Sequence, residues 1–414
     1  MQGSDFVMTF YPVGKLLLAG RAAEIYPPPT AISFVEAPFN KYVHELLTFL
    51  NPRYVAIYMY SPLMALFFVP FALGSATQAL VAWQFLSVMV MALVAWLCGR
   101  GGASRGLDYF FMFALFCPIF HTLLIGHLGI VVGLLPLALG YVLLSRCREF
   151  AGGFIWGALL LKPQFLPAAM LVAGSLFLAK RPRAAFGLGC GLLVFGALSS
   201  FALGPQLFFD WLKSFKMSDT IFANAGYGFP AYMVVSLPAV LLQSFPFEAR
   251  ATAKLFIYAL AAAIGLYALW RGTAILRKLE LGGLSLRPGG NDAAMATVEQ
   301  VRQYRAGLTL VMLYGLLVLP LVLPHFLFYD MCGLALIAVL AYQGFVWGKE
   351  QMRLRQIRTL SWWGANLYYL SFMFCTVAPF GQWYALLLVL YFAWLLWLSP
   401  GFIGARVSSA SEEG

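Results

Sequence analysis

Apolar stretches of roughly 17 to 25 residues recur along most of this 414-residue chain, and each is long enough to cross the ~30 Å hydrocarbon core of a bilayer. Backbone amides in lipid must find hydrogen-bond partners within the structure itself, so a crossing chain forms helices or a closed barrel. The stretches lack the alternating pattern of barrel strands. The sequence therefore predicts an all-α polytopic membrane protein.

The composition agrees with this prediction. Hydrophobic residues make up 62% of the chain and charged residues only 10%, whereas a soluble domain carries about 25% charged residues. A soluble protein would need a polar surface that this composition cannot supply. The six cysteines form no CxxC pair, which leaves disulfide frameworks and structural metal sites without sequence support and predicts free thiols.

The formal net charge of +11 comes from basic residues in short loops between the apolar stretches. This is the positive-inside pattern, in which Lys and Arg mark cytoplasmic loops. The pattern indicates membrane lipids, and not nucleic acid, as the partner of the basic residues. The clusters are Arg100 with Arg105, Arg146 with Arg148, Lys180 to Arg183, Arg271 to Arg305, and Lys349 to Arg358.

Taking these clusters as cytoplasmic gives a domain of about 11 to 12 helices over residues 54–399. Within 151–179 we expect two short helices broken at Lys162-Pro163-Gln164. The other predicted spans are 78–98, 107–125, 128–145, 185–203, 254–271, 306–323, 326–345, 359–377 and 383–399. Residues 204–253 are predicted to form an outer loop with a short surface helix near 231–245, 272–304 the longest cytoplasmic loop, and 400–414 a polar tail.

The apolar segment 54–74 conflicts with a simple count of crossings. An outer N-terminal segment and a cytoplasmic Arg100 allow only one net crossing before residue 100. Pro62 and Pro70 interrupt backbone hydrogen bonding, which favours a re-entrant or tilted helix over 54–74. The alternative is that Arg100 and Arg105 are external.

Residues 1–53 differ from the rest, with mixed charge and three consecutive prolines at 27–29. Two short amphipathic stretches, 6–18 and 40–50, are too short to span and are predicted to lie on the membrane surface. The topology also brings several ionisable residues to the outer face, which favours a site there. They are Asp5, His44, His121, His127, Lys162 and His325.

Six short elements resemble, in order, those of glycosyltransferase family 87, a GT-C family that includes polyprenol-phosphate-mannose-dependent mannosyltransferases. The first is Gly3-Ser4-Asp5-Phe6 with Tyr11, Leu18-Ala19-Gly20 and Ile25-Tyr26-Pro27. The others are Tyr58 to Leu63, Gly126-His127-Leu128-Gly129, Leu161-Lys162-Pro163-Gln164, Gly204-Pro205 with Trp211, and Pro324-His325 with Tyr329-Asp330. His127 stands where the family usually has Gln. Family members also carry a transmembrane helix before the first element, so we expect that this helix is missing from the sequence.

The resemblance implies a GT-C-like transmembrane helix bundle with interfacial helices in its outer loops. It further implies an inverting glycosyltransferase of the bacterial cell envelope, in the plasma membrane. The donor would be a polyprenyl-phosphate sugar, mannose or a related hexose or pentose, and the acceptor a lipid or glycan at the extracytoplasmic face. No cofactor is indicated, and dependence on a divalent metal stays open because outer acidic residues are few and lack ligand spacing.

The resemblance also assigns roles to residues. Asp5 is the expected general base that takes a proton from the acceptor, and the alternative is an N-cap for the helix that follows. Lys162 and His325 are expected to bind the donor phosphate; a lysine that snorkels to the interface and an interfacial histidine are the alternatives. The predicted substrate-binding residues are Tyr11, Tyr26, Tyr60, His127, Gln164, Trp211 and Asp330.

Asp330 is open to two interpretations, because it could instead form a structural pair with Lys162 or His325. A polytopic transporter or lipid flippase is the alternative function, since such proteins use broken helices near the bilayer midplane. The Lys162-Pro163 break suits that alternative. The halves of the chain, however, show no convincing repeat, and the ionisable residues gather near one face.

Overall fold

The computed structural model describes residues 4–28, 34–99, 103–223, 234–280 and 298–342, together with eight single residues between 363 and 394. Within these ranges the chain is helical and has no β-strand; Val234 and Leu327 form one isolated antiparallel bridge. The all-α prediction is confirmed. The predicted spans 359–377 and 383–399 and the tail 400–414 lie almost wholly outside the described residues.

The N-terminal half contains short helices around one long one. A π-helical turn, Phe6–Phe10, leads into α1. The helices are α1 (Tyr11–Leu18), α2 (Pro38–Leu46), α3 (Pro62–Phe67), α4 (Ala76–Gly99), α5 (Ala103–Ala114), α6 (Cys117–Ile125), α7 (Leu135–Ser145) and α8 (Glu149–Trp156). A second π-helical turn, Gly129–Leu134, precedes α7, and a 3-10 helix, Gly157–Leu161, follows α8.

The helices beyond residue 165 are α9 (Leu166–Leu178), α10 (Arg183–Ala202), α11 (Pro205–Ala223), α12 (Leu237–Gln243), α13 (Arg250–Glu280), α14 (Val298–Val322) and α15 (Ala335–Tyr342). They include α13 and α14, the two longest helices that the structure describes. Short 3-10 helices, Pro163–Phe165 and Phe328–Leu334, precede α9 and α15. Helix α13 continues into the predicted loop 272–304 and α14 begins inside it, so both ends of that segment are helical.

Among the described residues, four helices are long and apolar enough to cross a membrane: Ala76–Gly99, Arg183–Ala202, Arg250–Arg277 and Tyr304–Val322. The predicted span 107–125 is instead two helices bent by 70°, and Pro118 stands in the first turn of the second. Residues 54–74 contain only α3 and the 3-10 helix Phe71–Leu73. The prediction of a re-entrant or tilted helix over that whole stretch is therefore wrong in its length.

The stretch 6–18 is a core element and not a surface helix. Phe6, Phe10, Val13 and Leu16 are buried, and the two phenylalanines pack against Phe68 with ring centroids 5.9 and 4.9 Å away. The apolar face of this amphipathic segment is covered by protein. The prediction that it lies on the surface is wrong for this reason.

Basic residues gather at one end of the bundle. Arg305 donates to the carbonyl of Ser145 at the end of α7, and Arg277 donates to the carbonyl of Leu178 at the end of α9. Arg181 forms an ion pair with Glu149 at the start of α8. Cations near helix C-termini are favourable because the last carbonyls lack intrahelical partners. Clusters that the sequence assigns to the cytoplasmic side thus meet at a single end.

Candidate active site

Ser4, and not Asp5, caps the first helix. The Ser4 hydroxyl accepts from the backbone N–H of Val7 at 3.4 Å and donates to the carbonyl of Ile125 at 3.0 Å. Asp5 already has helical backbone angles, and its side chain makes no capping hydrogen bond. Serine satisfies the orphan donor of the first turn, so the interpretation of Asp5 as an N-cap is wrong.

A glycine turn after α6 makes room for this helix start. Gly126 has φ +71°, a left-handed conformation that suits glycine, and a side-chain carbon there would lie 2.5 Å from Cβ of Phe6. The Ile125 carbonyl that accepts from Ser4 immediately precedes it. The Gly126-His127 turn and the Ser4-Asp5 segment are therefore held together by packing and by a hydrogen bond.

Lys162 lies at the break between two 3-10 helices, as the sequence predicted. Its φ of −139° and ψ of 80° lie outside the α-helical region, which a following proline disfavours for the residue before it. Phe165, one turn later, fills the space in front of two glycines: a side-chain carbon at Gly133 or Gly333 would collide with its ring. We call this arrangement the phenylalanine wedge. It fixes the Lys162 segment against the elements on both sides.

The Lys162 ammonium forms a buried ion pair with Asp330, its Nζ lying 2.6 Å from Oδ1. The side chains are 0% and 1% exposed, respectively. The other Asp330 oxygen, Oδ2, accepts from the backbone N–H of Leu327 at 3.1 Å. Lys162 also lies over the rings of Phe165 and Tyr329, 5.6 and 5.8 Å from their centroids. Of the interpretations left open for Asp330, pairing with Lys162 is confirmed.

His127 lies between the Asp330 segment and Tyr60. Its Nε2 is 3.0 Å from the Tyr60 hydroxyl, and its ring centroid lies 4.0 Å from that of Tyr329, with the two ring planes tilted by 37°. The residue is 2% exposed, and its Nδ1 has no hydrogen-bond partner among the described residues. Buried polar atoms are normally hydrogen-bonded, so this nitrogen is able to bind one further group.

Asp5 belongs to the same group of residues. Burial raises the pKa of its carboxyl from 3.8 to about 7, while the Lys162 ammonium acts to lower this pKa and the Asp330 carboxylate to raise it. The Asp5 side chain nevertheless keeps part of its surface exposed. A partly accessible carboxyl that ionises near neutral pH has the properties of a general base.

Three of the predicted substrate-binding residues donate to backbone carbonyls. Tyr26 donates to Tyr60, Trp211 to Met59 and Tyr11 to Gly74, over 2.6, 3.0 and 3.2 Å. All three side chains are buried. The first two bonds hold the non-helical segment that carries Tyr60, and substrate contact by these three residues stays a prediction.

The remaining predicted residues flank the ion pair. Gln164 is half-buried, and its Oε1 has no partner among the described residues. His325 is half-buried and precedes the bridge residue Leu327. The hydrogen bond from the Val235 N–H to the Phe326 carbonyl at 2.6 Å ties this part of the chain to the segment before α12.

Tyr54 and Tyr329 lie in the site but were not among the predicted residues. Tyr54 hydrogen-bonds Thr9, one helical turn beyond Asp5, and burial together with the Asp5 charge raises the pKa of its hydroxyl. The Tyr329 ring contacts the His127 ring, and the Tyr329 carbonyl accepts from the Thr122 hydroxyl at 3.1 Å. Tyr329 precedes Asp330 in the last motif, which was the available signal; Tyr54 lies outside every motif.

Among the described residues, no group of three or more His, Cys, Asp or Glu side chains is placed to hold a metal ion. The described cysteines, which are Cys98, Cys117, Cys147, Cys190 and Cys332, are free thiols as predicted.

Comparison with known proteins gives one match. The model of glycosyltransferase family 87 matches residues 58–286, which is more than half of the chain and includes Tyr60, His127, Lys162 and Trp211. The matched range does not include Asp5, His325 or Asp330. No curated protein and no solved structure matches. The chain belongs to glycosyltransferase family 87, and it is a membrane glycosyltransferase.

Proposed function

We propose that this enzyme transfers a sugar, mannose or a related hexose or pentose, from a polyprenyl phosphate to a lipid or glycan acceptor at the extracytoplasmic face of the membrane. Family membership supplies the reaction class. The observation that carries the finer proposal is Asp5, a partly exposed carboxyl that caps no helix and has a pKa of about 7 beside the Lys162–Asp330 pair.

Asp5 acts as the general base in this proposal. It takes the proton of the acceptor hydroxyl as the acceptor oxygen forms a bond to the anomeric carbon. The bond from that carbon to the phosphate oxygen breaks, and the electron pair leaves with the polyprenyl phosphate. A single displacement from the face opposite the phosphate inverts the anomeric centre. The leaving phosphate needs no proton at neutral pH, so the chemistry requires no general acid.

Lys162 and His325 are the proposed phosphate-binding residues. An ammonium has three N–H donors, and the bond to Asp330 engages one of them. Because the side chain is enclosed, the proposal requires the break at Lys162 to open so that a phosphate oxygen reaches the remaining donors. His127 and Gln164, each with a buried polar atom lacking a partner in the described part of the chain, are the proposed contacts for sugar hydroxyls.

The test is a transfer assay on the purified enzyme with synthetic polyprenyl-phosphate mannose and a membrane lipid extract as acceptor, read by mass spectrometry. We expect a glycosylated product, and we expect Asp5→Asn to lower turnover on the order of 10²–10⁴-fold, the usual worth of a positioned base. Asp108→Asn, at an exposed aspartate, is the matched control and should keep its activity. Unchanged turnover in Asp5→Asn would refute the catalytic assignment.

Failure of the donor is a separate outcome. If the wild-type enzyme forms no product from polyprenyl-phosphate mannose, the assay is repeated with polyprenyl-phosphate glucose and with polyprenyl-phosphate arabinose. Absence of a product with all three would refute the proposed donor class while leaving membership of the family intact.

A further inference from the structure

The ion pair between Lys162 and Asp330 is unusual in being completely enclosed. Nζ and Oδ1 are 2.6 Å apart and neither side chain is more than 1% exposed. Removing two ions from water is costly, and well-packed apolar residues of similar size often serve a core as well or better. The pair is therefore weak evidence that it stabilises the fold. Its position beside Asp5 indicates more about its role.

The surroundings leave the pair little freedom. The phenylalanine wedge holds the segment of Lys162 on one side. On the other side the Leu327 N–H donates to Oδ2 of Asp330 at 3.1 Å. Two residues after Asp330, Cys332 packs closely against Gly129, in the turn that carries His127. A charge held this firmly acts on its neighbours from a fixed position.

Asp5 is one of those neighbours. The two members of the pair act on it in opposite directions, Lys162 lowering and Asp330 raising the pKa of its carboxyl. Other titratable groups that interact with Asp5 are the hydroxyls of Tyr54, Tyr60 and Tyr329. These hydroxyls are neutral at physiological pH, so Lys162 and Asp330 set the local charge.

We propose that Asp330 is a positioning residue, which fixes the Lys162 ammonium beside Asp5 and offsets part of its charge there. The naming of Asp5 as the base rests on the proposed function, but the charge balance is a property of the folded chain. Without Asp330, an uncompensated cation would stabilise the ionised form of Asp5; without Lys162, that form would lose its only neighbouring cation in the cluster described above.

The first test follows the pH dependence of transfer in the complete enzyme. In Asp330→Asn the acid limb of kcat/KM should move to lower pH, and in Lys162→Met to higher pH, each by about one pH unit. The double variant Lys162→Met with Asp330→Asn should lie between the two single variants. A merely structural pair would lower the rate or the yield of folded protein without moving the limb.

The second test needs no activity and so separates this inference from the proposed function. The Asp5 carboxyl has a raised pKa in the folded chain, so the folded state holds its proton over a pH range where the unfolded state has lost it. The free energy of unfolding therefore falls as the pH rises from about 4 towards 7, and becomes level above. Comparing the Tm of each protein with that of its Asp5→Asn counterpart across pH 4–9 isolates this contribution.

We call the pH above which the free energy of unfolding no longer changes the levelling point. The expected result is that this pH is lower in Asp330→Asn and higher in Lys162→Met. Glu149→Gln provides the matched control, because Glu149 is also a buried carboxylate paired with a cation, Arg181. It should lower Tm at every pH and leave the levelling point in place. An unmoved levelling point in all the variants, or a shift in the same direction in both single variants, would overturn the proposal.

Discussion

The two ends of the segment 149–162 carry buried ion pairs of different kinds. At one end, Arg181 places Nε and Nη2 on the same oxygen of Glu149, at 2.8 and 2.5 Å, and stays 14% exposed. Tyr304 donates to that oxygen at 2.9 Å and lies under the guanidinium at 4.3 Å. At the other end, roughly 20 Å away by helical rise, Lys162 and Asp330 have essentially no exposed surface.

The difference between the two pairs indicates what each is for. Arginine offers a planar fork of donors that suits a fixed joint between elements, whereas lysine offers a compact charge with donors to spare. The Arg181 pair joins α8 to the turn between α9 and α10, and the Tyr304 bond to the same carboxylate joins α8 to α14, among the basic residues of one end of the bundle. The Lys162 pair lies beside Asp5 and His127, in the proposed active site. We interpret the first pair as structural and the second as electrostatic.

Breaking each pair gives the largest expected effect. Lys162→Met leaves a fully buried carboxylate unpaired and should destabilise the fold by about 3–5 kcal/mol. Arg181→Met should cost less, about 1–3 kcal/mol, because Glu149 keeps its bond from Tyr304. Denaturant unfolding in detergent measures both losses.

The double variant Lys162→Met with Asp330→Asn should regain most of the stability lost in the single variant, since no buried charge then lacks a partner. Equal losses for Lys162→Met and Arg181→Met would contradict the difference drawn between the pairs.

The pH dependence of transfer distinguishes the pairs next. Asp5 must be ionised to accept a proton, and its pKa is about 7. The rate should therefore rise about tenfold per pH unit up to about pH 7 and then level off. Glu149→Gln should show the same profile at a lower yield of folded enzyme. A rate that is constant from pH 5 to pH 8 would contradict the assignment of Asp5 as the base.

A smaller effect concerns the helix start beside the Lys162 pair. Ser4→Ala removes the side chain that caps the first turn and should cost about 0.5–2 kcal/mol. Asp5→Ala should leave stability at neutral pH unchanged or increased, because Asp5 makes no capping bond and a partly buried charge is lost. Thermal unfolding of the two variants decides, and the reverse order of stability would return Asp5 to a capping role.

The smallest perturbation tests whether the two pairs face opposite sides of the membrane. Arg53 and Arg148 are both exposed arginines, the first in the predicted outer segment and the second beside Glu149. In a chain with Cys190 replaced by Ser, we expect Arg53→Cys to react with an impermeant thiol reagent in intact cells. Arg148→Cys should react only after permeabilisation, and equal labelling would overturn the predicted orientation.

Much of the fold could be predicted from apolar length and from proline. Helices α4 and α10 lie where long apolar stretches predicted them. The break at Lys162-Pro163 was also predicted, because the proline after Lys162 removes a backbone donor. The 70° bend before α6 was missed although Pro118 marks it. The burial of 6–18 could not be predicted, because amphipathicity indicates an apolar face without identifying what covers it.

For the candidate site, the sequence suggested residues but not the contacts between them. The family resemblance, confirmed over residues 58–286, drew attention to Lys162 and Asp330, but only the fold shows that residues 168 positions apart share a hydrogen bond. The capping residue of the first helix was also missed. Serine and aspartate both favour the N-cap position, and the hydrogen bond from Ser4 to the Ile125 carbonyl places Ser4 there. Tyr54 could not be found from the sequence because its partner Thr9 lies outside the motifs.

The phenylalanine wedge has a consequence for how this enzyme can change over generations. Because one ring occupies the volume left by Gly133 and Gly333, a larger residue at either glycine is tolerated only with a smaller one at Phe165, and that change opens a gap at the other glycine. The three positions should therefore vary as a unit or not at all. His127 and Gln164, the proposed contacts for sugar hydroxyls, are free of this three-way constraint and can be changed one substitution at a time.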